Sequence, residues 1–154
     1  MSLTGLDHAG FCVASLDRSI PWYTTFLGTE PKLVKKWLPR PGGAVGYKEL
    51  LVESAYWTLP GGVTLELIEY IEPKPGIVSM ETFNVGNGHL CITTDDLRGD
   101  FERLRGIAEF RASEPSLVTE GPWKGGLTTY VRDPDGISIQ LMQYPPGKRV
   151  EAAT

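Results

Sequence analysis

Residues 62–70 read GVTLELIEY and residues 136–144 read GISIQLMQY, so the two stretches match position for position. Within this match, Glu66 of the first copy corresponds to Gln140 of the second. Repetition of this kind is tested first because it determines the architecture of the whole chain. The match predicts two copies of one supersecondary unit.

The repeat extends upstream, where each copy begins with a strand that carries a histidine. The segment around His8 reads LDHAGFCVASL, and the segment around His89 reads NGHLCITTDDL. The chain has two histidines, and they occupy equivalent places in the two copies. A turn sequence, LPGG in the first copy and DPDG in the second, comes directly before each repeated strand. The pattern favours one metal site shared by two halves.

Length, charge and cysteine content limit the class of protein. A chain of 154 residues suits one domain built from two modules. The formal net charge is −4, and the sequence has no basic stripe suited to a phosphate backbone, which argues against nucleic acid binding. Cys12 and Cys91 are interpreted as corresponding positions of the two strands, and both are expected to be reduced and structural.

The N-terminus enters an amphipathic strand without a charged region followed by an apolar run. No stretch approaches the length of a membrane span. These features predict a soluble, cytoplasmic protein that acts on a small-molecule substrate, without a membrane partner.

Hydrophobic periodicity predicts an α+β protein of two βαβββ modules in a single domain, residues 1–148. Module 1 covers about residues 3–71, and module 2 covers about residues 88–145. The linker, about residues 72–87, is rich in Pro and Gly and too short to separate independent domains. Residues 149–154 form a polar tail.

The first helix is predicted over residues 16–27, with Ser15 as N-cap and Gly28 as the stop. Pro21 lies in its first turns, where it either kinks the helix or marks a later start. A second helix is predicted over residues 97–105, capped near Asp95 or Asp96. Strands are predicted at residues 8–13, 32–37, 54–59, 63–71, 89–94, near 110, 127–132 and 137–144, with an irregular loop at 39–46.

Alternation along the strands predicts where the candidate ligands point. Side chains two positions apart share a face, so His8 and His89 lie opposite the large apolar residues of their strands. Glu66 and Gln140 likewise lie opposite the apolar residues that flank them. If the helices cover the apolar face of each sheet, the four polar side chains line the other, concave face. The four coordinating groups can then converge on one metal ion.

The four side chains form a ligand set of two imidazoles, one carboxylate and one amide oxygen. This set suits Zn²⁺, Ni²⁺, Co²⁺, Mn²⁺ or Fe²⁺, and it lacks the thiolates of a structural zinc site. An ion in such a site polarises a substrate carbonyl oxygen, which favours loss of a proton from the adjacent carbon. The set therefore indicates proton-transfer chemistry.

The opening HAGFCVASLDRSIPWYTTFLG, the segment GHLCITTDDL, the DPDG turn and the two modules together resemble the vicinal oxygen chelate superfamily. That group includes glyoxalase I, methylmalonyl-CoA epimerase, extradiol dioxygenases and fosfomycin resistance proteins. The resemblance covers nearly the whole chain and implies a glyoxalase/bleomycin resistance/dioxygenase-type fold and a homodimer. It implies the metal ligands His8, Glu66, His89 and Gln140.

The sequence departs from the usual ligand pattern of this superfamily at Gln140. Many members carry glutamate there, and dioxygenases and fosfomycin resistance enzymes typically combine that glutamate with the two histidines. Epimerases usually place glutamine in the first half and glutamate in the second, which is the reverse of this chain. A single carboxylate on either side can still flank a substrate carbon, so the resemblance implies Glu66 as metal-bound catalytic base.

The sequence thus favours a divalent-metal-dependent isomerase, lyase or epimerase that abstracts a proton next to a carbonyl or thioester. The alternatives are a non-catalytic protein that binds a drug or metabolite, and an iron-dependent ring-cleaving dioxygenase. Glu49 resembles an acid/base glutamate of the epimerases but is interpreted as a solvated charge. Trp57 is interpreted either as a pocket wall or as core. The sequence has no motif that selects between glutathione and coenzyme A as a cosubstrate.

Overall fold

A computed structural model describes residues 4–40 and 45–148, with the backbone alone described for residues 37–40. The chain divides into two compact units, one ending at Val78 and the other beginning at Ser79. The predicted polar tail, residues 149–154, lies outside the described residues. No helix in the described part of the chain is long and apolar enough to cross a membrane.

The first unit has the predicted βαβββ order. Its four-stranded sheet is ordered β1-β4-β3-β2, with β1 and β4 parallel and the other neighbours antiparallel. Parallel pairing requires a crossover, and the helix between β1 and β2 begins that connection. The elements are β1 (His8–Cys12), α1 (Leu16–Leu27), β2 (Leu33–Arg40), β3 (Leu50–Thr58) and β4 (Thr64–Glu72).

Strand β2 extends further than predicted and takes in Pro39. Its pairing with β3 is irregular between Trp37 and Arg40. Because β2 lies at the edge of the sheet, a proline without a backbone N–H is tolerated there. The predicted loop at residues 39–46 therefore begins later, and its residues 41–44 lie outside the described residues.

The second unit repeats this order with one addition. Its main sheet is ordered β5-β9-β8-β6, and β5 pairs with β9 in parallel. The additional strand, β7, was not predicted, and like β6 it has two residues that pair with β8. The elements are β5 (Leu90–Thr93), α2 (Leu97–Leu104), β6 (Glu109–Phe110), β7 (Ser116–Leu117), β8 (Leu127–Arg132) and β9 (Ser138–Gln143).

Helix α1 has the predicted bounds and continues through Pro21. It ends at Gly28, whose φ of 70° is the left-handed conformation that glycine adopts without strain. Ser15 occupies the predicted N-cap position, but its side chain makes no capping hydrogen bond. The N–H of Leu16 instead donates to Oε2 of Glu69 in β4, at 2.7 Å.

The second unit uses the equivalent residue in the same way. The N–H of Leu97, at the start of α2, donates to Oε1 of Gln143 at 2.9 Å. Gln143 occupies the place of Glu69 in the repeated stretch. Asp96 adds the predicted cap, because its carboxylate accepts from the N–H of Gly99 at 3.0 Å. In both units, a strand side chain thus accepts a hydrogen bond from the first residue of the helix.

Loss of the cap from Glu69 is expected to be measurable. We expect Glu69→Leu to lower the free energy of unfolding by about 1 kcal/mol, because the N–H of Leu16 loses its acceptor. Glu69→Gln should cost less, since Gln143 shows that an amide oxygen can accept this bond. Urea unfolding of both variants measures the difference. Equal stability of Glu69→Leu and Glu69→Gln would contradict the assignment.

The core of each unit lies between its helix and one face of its sheet. In the first unit, Leu65 and Leu67 of β4, Ala55 and Trp57 of β3 and Tyr23 of α1 are fully buried. In the second unit the buried hydrophobic residues of α2, β8 and β9 include Leu97, Phe101, Leu104, Val131, Ile139 and Leu141. The alternation predicted from the sequence is present, so the opposite sheet face is left for polar side chains.

Candidate metal centre

His8 and Glu66 lie together on the face of the first sheet that points away from α1. The parallel register sets Gly10 opposite Glu66 and His8 opposite Thr64, which places the two side chains diagonally on adjacent strands. Nε2 of His8 is 3.7 Å from Oε2 of Glu66. The first unit therefore presents one imidazole nitrogen and one carboxylate oxygen side by side.

The other ring nitrogen of His8 orients the imidazole. Nδ1 is 2.7 Å from Oδ1 of Asp7, and this hydrogen bond raises the pKa of His8. The negative charge of Glu66 also raises that pKa, while partial burial opposes the shift. With its proton on Nδ1, the neutral ring keeps a lone pair on Nε2, the form in which histidine binds metals.

The second unit holds the equivalent pair, His89 and Gln140. Nε2 of His89 is 3.1 Å from Oε1 of Gln140. The amide nitrogen of Gln140 donates to Oγ1 of Thr128 at 2.9 Å, and that hydroxyl donates to the carbonyl of Leu141 at 3.1 Å. Because the single hydroxyl proton is used on Leu141, Thr128 accepts from the amide, which turns the amide oxygen towards His89. Sequence reasoning did not find Thr128.

The two pairs can be tested against the geometry of a metal site. Two ligand atoms each about 2.1 Å from a divalent ion lie roughly 2.9–3.4 Å apart in octahedral or tetrahedral coordination. The 3.1 Å between His89 and Gln140 falls in this range. The 3.7 Å between His8 and Glu66 is slightly wider than this range. Nitrogen and oxygen donors in this arrangement fit the divalent ions predicted from the sequence.

The candidate metal-binding side chains occur as two pairs, one in each unit. Within residues 4–40 and 45–148, no three His, Cys, Asp or Glu side chains form a group that could hold a metal ion. Each unit contributes one histidine and one oxygen donor, and the oxygen donor of the second unit is an amide. Each pair thus supplies two of the four donors in the predicted set.

Each pair has a tyrosine beside it that sequence reasoning missed. Tyr56 of β3 lies opposite Glu66, and Tyr130 of β8 lies opposite Gln140. The tyrosine stands the same distance before Glu66 as before Gln140, so the repeat itself carried the signal. The Tyr130 ring meets the His89 ring edge-on, at 5.4 Å between centroids. Burial raises the pKa of Tyr130, which keeps its phenol protonated as a hydrogen-bond donor.

The second unit also contains a cavity of about 410 Å³ beside its histidine. It is lined by Thr82, His89, Arg111 and Tyr130. Its lining combines an aromatic ring, hydroxyl groups and one guanidinium, which is the mixed surface typical of small-molecule sites. The candidate ligand His89 therefore faces a space large enough for a ligand.

One interpretation from the sequence needs correction, and one pair of alternatives is decided by the structure. Cys91 lies opposite Gln140, whereas Cys12 lies opposite Ile68, so the two cysteines are not equivalent. The register places Cys91 where the first unit has Gly10. Of the two interpretations of Trp57, the structure supports a core residue, because its side chain is fully buried on the helix-covered face.

The other candidate residues can be placed more simply. Both cysteines are free thiols, as predicted. Glu49 is exposed in the segment before β3, in agreement with a solvated charge.

Comparison with known proteins agrees with this architecture. Residues 5–141 match the model of the Glyoxalase/Bleomycin resistance protein/Dioxygenase superfamily. A 2-epi-5-epi-valiolone epimerase of Actinomyces sp is 27% identical over 156 residues, covering 97% of this chain and 84% of that protein. A lactoylglutathione lyase of Arabidopsis thaliana is 27% identical over 143 residues, covering 90% of this chain but 44% of that protein.

Solved structures share the fold. A glyoxalase family protein from Bacillus cereus has a TM-score of 0.72 and 22% identity, covering 94% of this chain and 97% of its own. A domain from Frankia sp. has a TM-score of 0.62 and 25% identity, covering 96% of both chains. The predicted fold and family resemblance are confirmed. Since the family model spans most of the chain, this protein belongs to the glyoxalase/bleomycin resistance protein/dioxygenase superfamily.

Proposed function

We propose that this chain is a divalent-metal-dependent isomerase, lyase or epimerase that removes a proton from the carbon next to a carbonyl or thioester. In this proposal His8, Glu66, His89 and Gln140 together hold one ion. The observation that carries it is the occurrence of matched pairs, each with an imidazole nitrogen 3.7 or 3.1 Å from a side-chain oxygen. Relatives named as an epimerase and a lactoylglutathione lyase support an enzyme of this kind.

When bound, the ion would polarise the substrate carbonyl and so acidify the neighbouring carbon. Glu66 is the carboxylate of the set and takes the proton, whereas the amide of Gln140 cannot do so near neutral pH. The side chain of Glu66 is 16% exposed, so little water competes for its oxygens. Asp7 and Thr128 orient His8 and Gln140 through the hydrogen bonds described above.

A single carboxylate moves a proton most directly along one face of the substrate. Return of the proton by Glu66 to the neighbouring carbon would be isomerisation. Inversion at carbon needs a second donor on the opposite face. We further propose that residues 1–148 form one domain and that the protein is a cytoplasmic homodimer.

Metal content is the first test of this proposal. We expect the protein, reconstituted separately with Zn²⁺, Ni²⁺, Co²⁺, Mn²⁺ and Fe²⁺, to retain close to one ion per chain of at least one metal after desalting. His8→Ala and His89→Ala should each lose nearly all of it, because one shared ion needs both pairs. Cys12→Ala is the matched control, since this thiol lies on the same sheet face as His8 and is not a proposed ligand. Elemental analysis measures all four proteins.

The outcomes separate the alternatives. If each histidine variant kept about half of the metal, the two pairs would bind ions independently, and the shared site would be wrong. If the parent retained no metal, the non-catalytic binding protein would be favoured. Consumption of oxygen with catechol by iron-loaded protein would instead support the ring-cleaving dioxygenase.

Chemistry is tested by solvent deuterium exchange followed by NMR. The names of the two relatives supply the first compounds, 2-epi-5-epi-valiolone and lactoylglutathione. We expect metal-loaded protein to exchange the hydrogen next to the carbonyl of at least one tested compound, and metal-free protein to leave it in place.

A further inference from the structure

The second unit carries an excess of positive charge beside the cavity. Oε2 of Glu81 lies 3.0 Å from Nη2 of Arg132 and 3.4 Å from Nη2 of Arg111. One carboxylate thus pairs with two guanidinium groups, so the three side chains together have one net positive charge. A cluster with this balance attracts an anion.

Of the two arginines, Arg111 is the one placed to meet a ligand. The Arg132 side chain is 15% exposed, and it also donates to the carbonyl of Met80 at 3.5 Å. Arg111 is 42% exposed, lines the cavity, and makes the longer of the two contacts with Glu81. Since a guanidinium has five N–H donors, most of the hydrogen-bonding capacity of Arg111 remains for a ligand.

The backbone holds Arg111 beside the other cavity residues. Its N–H donates to the carbonyl of Tyr130 at 2.9 Å, which continues the pairing of β6 with β8. Phe110, the preceding residue, packs on Phe101 of α2, so Arg111 points to the sheet face away from the helix. That is the face of Tyr130 and Gln140.

Two hydroxyl groups complete the lining, those of Tyr130 and Thr82. The phenol of Tyr130 and the hydroxyl of Thr82 each carry an O–H that can donate a hydrogen bond. Within the described residues, the cavity lining contains no carboxylate. The lining therefore offers hydrogen-bond donors around a cation.

We propose that this cavity binds the anionic oxygen group, a carboxylate or a phosphate, of a small-molecule substrate, with Arg111 as the residue that selects it. Arg111 would form charge-assisted hydrogen bonds with two oxygens of the group, and the hydroxyls of Thr82 and Tyr130 would donate to it. The volume of about 410 Å³ suits a small ligand. Naming the ligand as the substrate rests on the proposed function, while the anion site rests on the cavity alone.

The test uses full-length, metal-free, ¹⁵N-labelled protein at constant ionic strength. Sodium lactate, sodium phosphate and neutral lactamide are titrated separately against chloride as the background anion. We expect saturable shifts of the amide signals of Thr82, Arg111 and Tyr130 with lactate, phosphate or both, and none with lactamide. The stronger of the two anions identifies whether a carboxylate or a phosphate is preferred.

Variants assign the effect to Arg111. Arg111→Gln should weaken binding by roughly tenfold or more, since a charge-assisted hydrogen bond is lost. Arg111→Lys keeps the charge and should bind more strongly than Arg111→Gln. Arg105→Gln is the matched control, because it removes the same charge from the end of α2, where Arg105 pairs with Glu102. This control should bind like the parent.

Equal affinity of Arg111→Gln and Arg105→Gln would overturn the proposal, as would equal shifts with lactate and lactamide. If Arg111→Gln failed to fold, Arg111→Met would replace it as the variant that removes the charge, and parental affinity of Arg111→Met would also overturn the proposal. Because the titrated protein is metal-free, the two proposals can fail separately. If the protein bound the anion but later took up no metal, the metal-dependent function would be contradicted and the anion site would stand. If the protein took up metal but bound no anion, the anion site would be contradicted and the metal-dependent function would stand.

Discussion

Glu66→Gln is expected to slow deuterium exchange next to the substrate carbonyl by about 10²–10⁴-fold while the metal stays bound. The amide keeps an oxygen at the position of the carboxylate, and the protein already uses this arrangement in its second unit. There, Oε1 of Gln140 lies 3.1 Å from Nε2 of His89. An amide does not accept a proton near neutral pH, so the substitution removes the base and retains the donor. Exchange rate and metal content are measured on the same preparation.

Glu69→Gln is the matched control, because it makes the same chemical change in the same strand. Glu69 lies on the helix-covered face of β4, where it accepts from the N–H of Leu16. This control should exchange at the parental rate. If Glu66→Gln also exchanged at that rate with its metal in place, the base would have to be another residue.

Trp57→Ala should produce the largest loss of stability, about 3–5 kcal/mol in the free energy of unfolding. The indole is fully buried and packs on Tyr23 of α1, with 5.9 Å between ring centroids. Its Nε1 donates to the carbonyl of Thr29 at 3.0 Å. Truncation leaves a cavity and removes the donor to that carbonyl. A loss of this size is a large part of the roughly 5–15 kcal/mol that stabilises a typical domain.

Trp123→Ala supplies the comparison, since Trp123 is 41% exposed. A surface truncation of this kind usually changes stability by no more than about 0.5 kcal/mol. Urea unfolding of both variants under one set of conditions measures the difference. A cost for Trp57→Ala no larger than that for Trp123→Ala would show that the indole is not a core residue.

Much of the fold was predictable because its signals are local. Alternation along β4 and β9 follows from neighbouring residues, and it placed Glu66 and Gln140 on the face opposite the core. Gly28 ends α1 at the predicted residue because a left-handed conformation favours glycine there. The turns before the repeated strands are also local, and both close with the same backbone hydrogen bond, from Gly62 to Leu59 and from Gly136 to Asp133.

The hydrogen bonds between strand side chains and the first turn of each helix were not predictable in this way, although the local cap at Asp96 was. The N–H of Leu16 bonds to Glu69 and that of Leu97 bonds to Gln143, each partner being far along the chain. A hydrogen bond between distant residues leaves no periodic signal. The two-residue strand β7 was missed for a related reason, since it is too short to show alternation.

Local patterns were sufficient to predict the architecture and to select four candidate ligands, because strand alternation and internal repetition are visible in neighbouring residues. The distances between the ligands needed long-range strand pairing, which sets Gly10 opposite Glu66 and Cys91 opposite Gln140. The same pairing shows that Cys12 and Cys91, which were predicted to occupy equivalent positions, do not. It also brought Arg111 next to Tyr130 at the cavity, a neighbourhood that depends on how β6 meets β8 rather than on any motif.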